Sequence, residues 1–478
     1  MSVKSSPYVR FGVCAVFWAI FVVSVLAYSE PALSAQDDAR EQLGPLRPGE
    51  YPNYLFKPPI PPPTTKESQE FREKYLFGDW LGDRSQLAQL GINPTLLFII
   101  DPFGNVTGGR QRGFTQFNLL GLDVILKTDK LFGWPGGQFH VGYANSSGSD
   151  LSTTYVGNNF PIQLAASGAP ASSRLTYLSY TQSLFDEILS FRLGRLTINS
   201  VYGEEFLASE YFKAFTSVGF DLVPLGPFLN APGAFGYPFA TWGARTKFEP
   251  IDQFYVMTGV YNGDPALKEP NRNGVDFSLK GPPFVIGEFG FRANYGKEAM
   301  GLPANLKFGA YFNGGTFKAF DSGLAGGVAA KTEPGNHGFY GLGDQAILRW
   351  GGPEENRHLG IFAAFNWAPD QRVNPMPYFF DAGLVAYGLL PSRPRDFAGF
   401  GVVYGSYSGD LRRAEQVRAA TSPSVAAQDY EMTLELTYGW AVIPGLLLQP
   451  NLQYIINPGG NRATRDALAV GVNVVVNF

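Results

Sequence analysis

Charge is what this sequence has least of. Only 16% of its 478 residues are Asp, Glu, Lys or Arg, against about 25% in an ordinary soluble domain. Net charge is −4 and no run of Lys or Arg occurs, so nucleic acid is not an expected partner. Cysteine is almost missing as well. The single Cys14 excludes a disulfide framework. With three histidines in all, no metal-ligand spacing is present and no cofactor is expected. Nor is there a nucleophile in a Gly-x-Ser-x-Gly setting. His140 lies on an early strand, His337 near a loop end and His358 at a strand start. We expect no enzyme. Past residue 28 no apolar run is long enough for a membrane-spanning helix.

What is present points one way. Aromatics reach 15%, yet mean hydropathy is −0.06. The polarity must come from Gly, Asn, Gln, Ser, Thr and Tyr. A membrane β-barrel has this balance, apolar outside and polar inside. The 57 glycines and 36 prolines suit many turns.

The first segment reads as a signal peptide, residues 1–35. Lys4 and Arg10 precede an apolar stretch over 11–28, and Ala32-Leu33-Ser34-Ala35 offers a small-residue exit. The alternative is an uncleaved anchor. Gln36-Asp37-Asp38 after the exit favours cleavage. Residues 36–75 are polar and Pro-rich, including Lys57-Pro58-Pro59-Ile60-Pro61-Pro62-Pro63. Such a stretch tends to polyproline II, and it reads as a periplasmic tail. A short helix is expected over 83–90, begun by Asp83 and stopped by Gly91.

From about residue 92 the pattern has period two. Met432, Leu434, Leu436, Tyr438 and Trp440 alternate with Glu431, Thr433, Glu435, Thr437 and Gly439. On a strand these are opposite faces, one for lipid with an aromatic end, one for water. Leu448, Leu452 and Tyr454 oppose Gln449, Asn451 and Gln453. Phe139, Val141 and Tyr143 oppose His140, and Phe289 and Phe291 oppose Glu288 and Arg292. Leu468, Val470, Val472, Val474, Val476 and Phe478 form the last outward row, with Asn473 and Asn477 inward. That strand must pair with the first, near residues 94–103, to remove the free edge. A soluble sandwich or propeller also alternates. The leader, the aromatic ends and the closing Phe478 favour the barrel.

The fold class is therefore all-β: a transmembrane antiparallel barrel of about sixteen strands over residues 76–478. Residues 92–478 number 387, or about 24 per strand with its turns. So wide a barrel leaves an aqueous lumen. Inward positions carry Arg192, Arg245, Lys247, Glu288, Arg292, Lys307, Glu431 and Glu435. These are expected to face water or pair with each other. Two long stretches lack alternation, 146–173 and 197–240. The second is expected to fold inward as a constriction.

Several stretches resemble the carbohydrate-selective porins of Gram-negative bacteria. They are Gly78-Asp79-Trp80-Leu81-Gly82-Asp83-Arg84, Leu131-Phe132-Gly133-Trp134-Pro135-Gly136-Gly137-Gln138-Phe139-His140-Val141, Tyr261-Asn262-Gly263-Asp264-Pro265, and residues 446–460 from Leu446-Leu447-Leu448-Gln449-Pro450-Asn451 to Asn457-Pro458-Gly459-Gly460. The resemblance implies a sixteen-stranded outer-membrane porin that admits monosaccharides such as glucose. It also implies that the outer-membrane assembly machinery reads the row ending in Phe478.

Sugars offer hydroxyls and apolar ring faces. Arg and carboxylate groups can bond the hydroxyls, and Tyr rings can cover the faces. The constriction candidates are Arg192, Arg245, Glu288 and Arg292 from the wall, and Tyr202, Glu204 and Glu205 from the long loop. Arg192 just precedes that loop and Arg245 just follows it, so both should lie near its anchors. The expected partners are small carbohydrates and outer-membrane lipid. Monomer and homo-oligomer both stay open. The alternative function is a general or anion-preferring porin.

Overall fold

The computed structural model describes residues 66–166, 171–198, 206–221, 230, 236–263, 273–275, 277–294, 301–322, 331–351, 357–422 and 425–478. The expected signal peptide over 1–35 lies outside them, as does most of the Pro-rich stretch. Two helices come first, α1 (Lys66–Lys74) and α2 (Asp83–Gln89). Helix α1 corrects the reading that the extended tail runs to residue 75. The last proline of that run is Pro63, and Lys66 to Lys74 contains only residues that tolerate a helix.

Sixteen strands follow among the described residues. They begin with β1 (Ile92–Gly109), β2 (Gly113–Lys127), β3 (Gly137–Gly148) and β4 (Ser172–Leu184). Next are β5 (Leu189–Leu196), β6 (Thr241–Ile251), β7 (Phe254–Asn262) and β8 (Pro283–Ala293). Then come β9 (Ala304–Lys318), β10 (Thr332–Arg349), β11 (His358–Trp367) and β12 (Tyr378–Tyr387). The last four are β13 (Phe397–Ser406), β14 (Tyr430–Ile443), β15 (Leu446–Ile456) and β16 (Arg465–Asn477). Each pairs antiparallel with its sequence neighbours, and β1 pairs with β16 to close the barrel. Closure satisfies every strand edge, which lipid demands. The seam matches Leu97 with Asn477 and Phe103 with Gly471. Gly471 must lack a side chain, because a Cβ there would sit 2.3 Å from the Phe103 ring.

Alternation holds along the wall. In β14, Glu431, Thr433 and Glu435 are fully buried on the inside, while Leu436 and Trp440 are exposed outside. Outward aromatics pair near both rims. Phe139 meets Tyr180 at 4.8 Å and Phe254 meets Phe291 at 5.2 Å near the short-turn rim. Phe339 meets Trp367, and Tyr404 meets Tyr430, both at 5.7 Å, near the long-loop rim. These belts suit the two membrane interfaces. Among the described residues no helix is long and apolar enough to cross a membrane; the crossing elements are strands.

Candidate functional site

The inner wall and two inward loops make the site together. The carboxylates of β14 neither face open water nor pair with cations, as the sequence had suggested. They hold loop backbone instead. Glu435 accepts the N–H of Thr216 at 2.7 Å and of Ser217 at 2.9 Å, and the Asn451 amide at 2.5 Å. Glu431 accepts the N–H groups of Asn159 at 2.8 Å, Phe160 at 2.9 Å and Gly459 at 2.6 Å. Asp101 of β1 accepts the N–H of Ala165 at 2.7 Å. A loop inside a barrel carries backbone donors that its own turns cannot satisfy. Buried carboxylates on the wall supply strong acceptors for them.

The long loop is pinned at a second place. Leu207 N–H donates to Glu288 Oε2 at 2.9 Å, and the hydroxyls of Tyr255 and Tyr340 donate to the same carboxylate at 2.7 and 3.0 Å. Ser209 Oγ donates to Asp344 at 2.7 Å, and Lys307 Nζ donates to the Ala208 carbonyl at 2.5 Å. Between these anchors and just past Ser217, the loop buries Tyr211, Phe212, Phe215, Val218 and Phe220. They pack on Leu342 of β10, Phe362 of β11, Phe379 of β12 and Val403 of β13. The loop thus lines the inner wall from β8 round to β14. The loop after β3 also turns inward. Its Ala165 and Ala166 pack on Ile99, Phe117 and Ala144.

The opposite wall, β4 to β9, is basic. Arg192 and Arg245 are direct partners in the β5–β6 ladder. Placing like charges face to face costs about 0.2–1 kcal/mol in a sheet, so this rung is not explained by stability. Arg192 donates to His140 Nδ1 at 2.9 Å and to Ser179 Oγ at 3.3 Å. Its guanidinium stands 5.5 Å from the Tyr177 ring. Arg245 is 5% exposed and points Nη1 at Met257 Sδ, 3.4 Å away. Arg292 pairs with Glu249 at 2.8 Å and lies 4.9 Å over Tyr255; Lys247 also pairs with Glu249. Glu288 is 2% exposed and covered by the loop. Tyr202, Glu204 and Glu205 lie outside the described residues.

The sequence reading missed the layer behind Arg192. Asp123 Oδ1 lies 2.7 Å from His140 Nε2, and Tyr177 stacks on the imidazole at 4.3 Å. The alternation around Phe139 and Val141 did place His140 inward. It also missed Arg174 and Arg195, both buried on the same wall. Arg174 sits 4.1 Å over Phe239, and Arg195 donates to the Ala240 carbonyl at 2.6 Å. Among the described residues no group of His, Cys, Asp and Glu could hold a metal ion. The arrangement sets N–H donors beside aromatic faces, a pairing that suits a hydroxylated solute.

Comparison with known proteins gives the family. Residues 111–478 match the sequence profile of the carbohydrate-selective porin, OprB family. The chain is 26% identical over 432 residues to Porin B of Pseudomonas aeruginosa, covering 85% of this chain and 91% of that protein. It is 25% identical over 439 residues to a putative porin, QuiX, of Acinetobacter baylyi, covering 85% and 93%. The high-pH structure of Pseudomonas putida OprB superposes with a TM-score of 0.78 at 26% identity, over 85% of this chain and 99% of that one.

Proposed function

Because the chain belongs to the carbohydrate-selective porin, OprB family, we propose that glucose-like monosaccharides cross its lumen by passive diffusion past the Arg192–Arg245 rung. The protein is an outer-membrane channel rather than an enzyme, and small sugars are its solutes. The observation that carries the finer reading is the rung itself. Two guanidiniums stand side by side there, and guanidinium N–H groups are the donors that suit the oxygens of a neutral sugar. Tyr177 beside Arg192 and Tyr255 beside Arg292 add ring faces. Tyr202, Glu204 and Glu205 belong to this proposal as acceptors and a ring carried by the loop. Glu288 serves it indirectly, as the loop's anchor. Binding must stay weak for the solute to leave.

The same rung favours a second reading, an anion-preferring pore, since on the same wall Lys247, Arg292 and Lys307 outnumber the one carboxylate, Glu249, that Lys247 and Arg292 share. Export through residues 1–35, and recognition of the row ending in Phe478 by the outer-membrane assembly machinery, complete the proposal. The basic, apolar and small-residue order of the leader supports export.

The experiment is solute-dependent swelling of proteoliposomes that hold the Arg192→Ala or Arg245→Ala protein. Both variants are expected to fold and to change the rate of glucose permeation. If neither changes it, the rung is not the constriction.

A further inference from the structure

The segment ahead of the barrel carries a motif that sugar passage does not use. Helices α1 and α2 fold back on each other around Asp79. Its carboxylate accepts the Ser68 hydroxyl of α1 at 2.6 Å, and the N–H and hydroxyl of Ser85 in α2 at 2.8 and 2.7 Å. Arg84 of α2 is buried in this hairpin, only 2% exposed. Three rings enclose its guanidinium, Tyr75 at 3.7 Å, Trp80 at 4.3 Å and Phe71 at 5.6 Å. Its Nη2 donates to the main-chain oxygen of Phe478 at 2.5 Å, while Nε and Nη1 have no hydrogen-bond partner. The Phe77 ring meets the Phe478 ring at 5.4 Å, and Leu76 N–H donates to the Asn477 carbonyl at 2.7 Å.

The end of β16 is thus held by three elements at once. Phe478 N–H donates to Leu96 of β1 at 2.9 Å, and Asn477 N–H donates to Gly445 of the β14–β15 turn at 2.8 Å. The hairpin adds the rest. Gly445 has φ +74°, and a Cβ there would lie 2.1 Å from the Leu76 nitrogen, so that turn is shaped to admit the hairpin backbone.

This contact sits on the pairing that joins the two ends of the strand order. Every other ladder joins strands adjacent in sequence. The β1–β16 ladder closes a loop of almost the whole barrel and carries the largest closure entropy. Until it forms, two edges stay open. A buried cation with one hydrogen-bond acceptor is costly to leave unpaired. Phe478 in place supplies the main-chain oxygen that this buried cation bonds.

We propose that the α1–α2 hairpin is a binding site for the end of β16, a staple that locks the barrel seam once it has closed. Its ligand is an aromatic residue at the end of a strand, recognised through its ring and its main-chain oxygen.

The test is hydrogen exchange by mass spectrometry on the full-length protein in detergent, comparing wild type with Phe77→Ala and Arg84→Met. Phe77 is 63% exposed, so its loss should not prevent folding even if that of Arg84 does. The staple predicts exchange about tenfold faster in β16 and the first half of β1, with β8 and β9 unchanged. It also predicts that the double variant is no worse than the stronger single one. Unchanged seam exchange in Phe77→Ala, or an equal rise in all strands, would overturn it.

Discussion

Arg192 donates a hydrogen bond from Nη2 to Nδ1 of His140 across 2.9 Å. Arginine has donors only, so Nδ1 must be the acceptor and the ring proton must sit on Nε2. Nε2 then donates to Asp123, 2.7 Å away. The three residues, from β2, β3 and β5, form a chain that fixes where the Arg192 guanidinium stands. Replacing His140 by Phe keeps a ring against Tyr177 and removes the acceptor. The glucose concentration that half-blocks the channel should rise about fivefold, equivalent to about 1 kcal/mol. Noise analysis of bilayer currents reads this directly. An unchanged half-block concentration in a folded His140→Phe channel would remove His140 from the positioning of Arg192.

The Glu435 anchor makes a prediction about size. Glu435→Ala strands the N–H groups of Thr216 and Ser217, at about 1–3 kcal/mol each. The loop should loosen from β14, and larger sugars should pass. Swelling assays with a disaccharide and a trisaccharide should show both entering faster, with Glu435→Gln in between because it keeps one acceptor. A folded Glu435→Ala barrel with the wild-type size limit contradicts the anchor.

Glu288 separates anchoring from sugar contact. It binds Leu207, Tyr255 and Tyr340. Glu288→Gln should widen current fluctuations while leaving glucose half-block within about twofold, since a lost hydrogen bond in the anchor need not alter the rung. Loss of glucose block without added fluctuation would make Glu288 a sugar ligand instead.

Acid should release the hairpin. Burial pushes the Asp79 carboxyl up, but hydrogen bonds from Ser68 and Ser85 and the charge of Arg72 more than offset it, and the net direction is down. A depressed carboxyl stabilises the fold above its unfolded pKa of about 4 and loses that contribution as pH falls through the lower folded value. Pepsin cleavage within residues 66–91 should therefore accelerate below about pH 4 in the wild type. In Asp79→Asn, cleavage should be fast already and lack this added acid dependence. Equal pH profiles in the two proteins would rule Asp79 out as the cause.

Much of this architecture was legible in the residues. Period two in β14 and β16 reported the two faces of the wall, and the seam lies where the first and last alternating stretches had to meet. Alternation reports a face, however, and not what covers it. Glu431 and Glu435 looked like pore residues because nothing local says that Phe160 and Thr216 will fold over them. The link from His140 to Arg192 depends on register. His140 pairs with Ser179, and Thr181 pairs with Arg192, an offset set by strand stagger rather than by any local pattern. Helix α1 was hidden by the proline run before it, which draws a boundary too late.

The account rests on a neutral sugar, and not an anion, being the solute of the Arg192–Arg245 rung. The direct measurement is single-channel current of the wild-type protein in a planar bilayer, titrated with glucose and separately with phosphate. Glucose should lower the current at concentrations on the order of millimolar, as expected for weak binding that still permits passage, and phosphate should not. Block by phosphate with no effect of glucose at the same concentrations would contradict it.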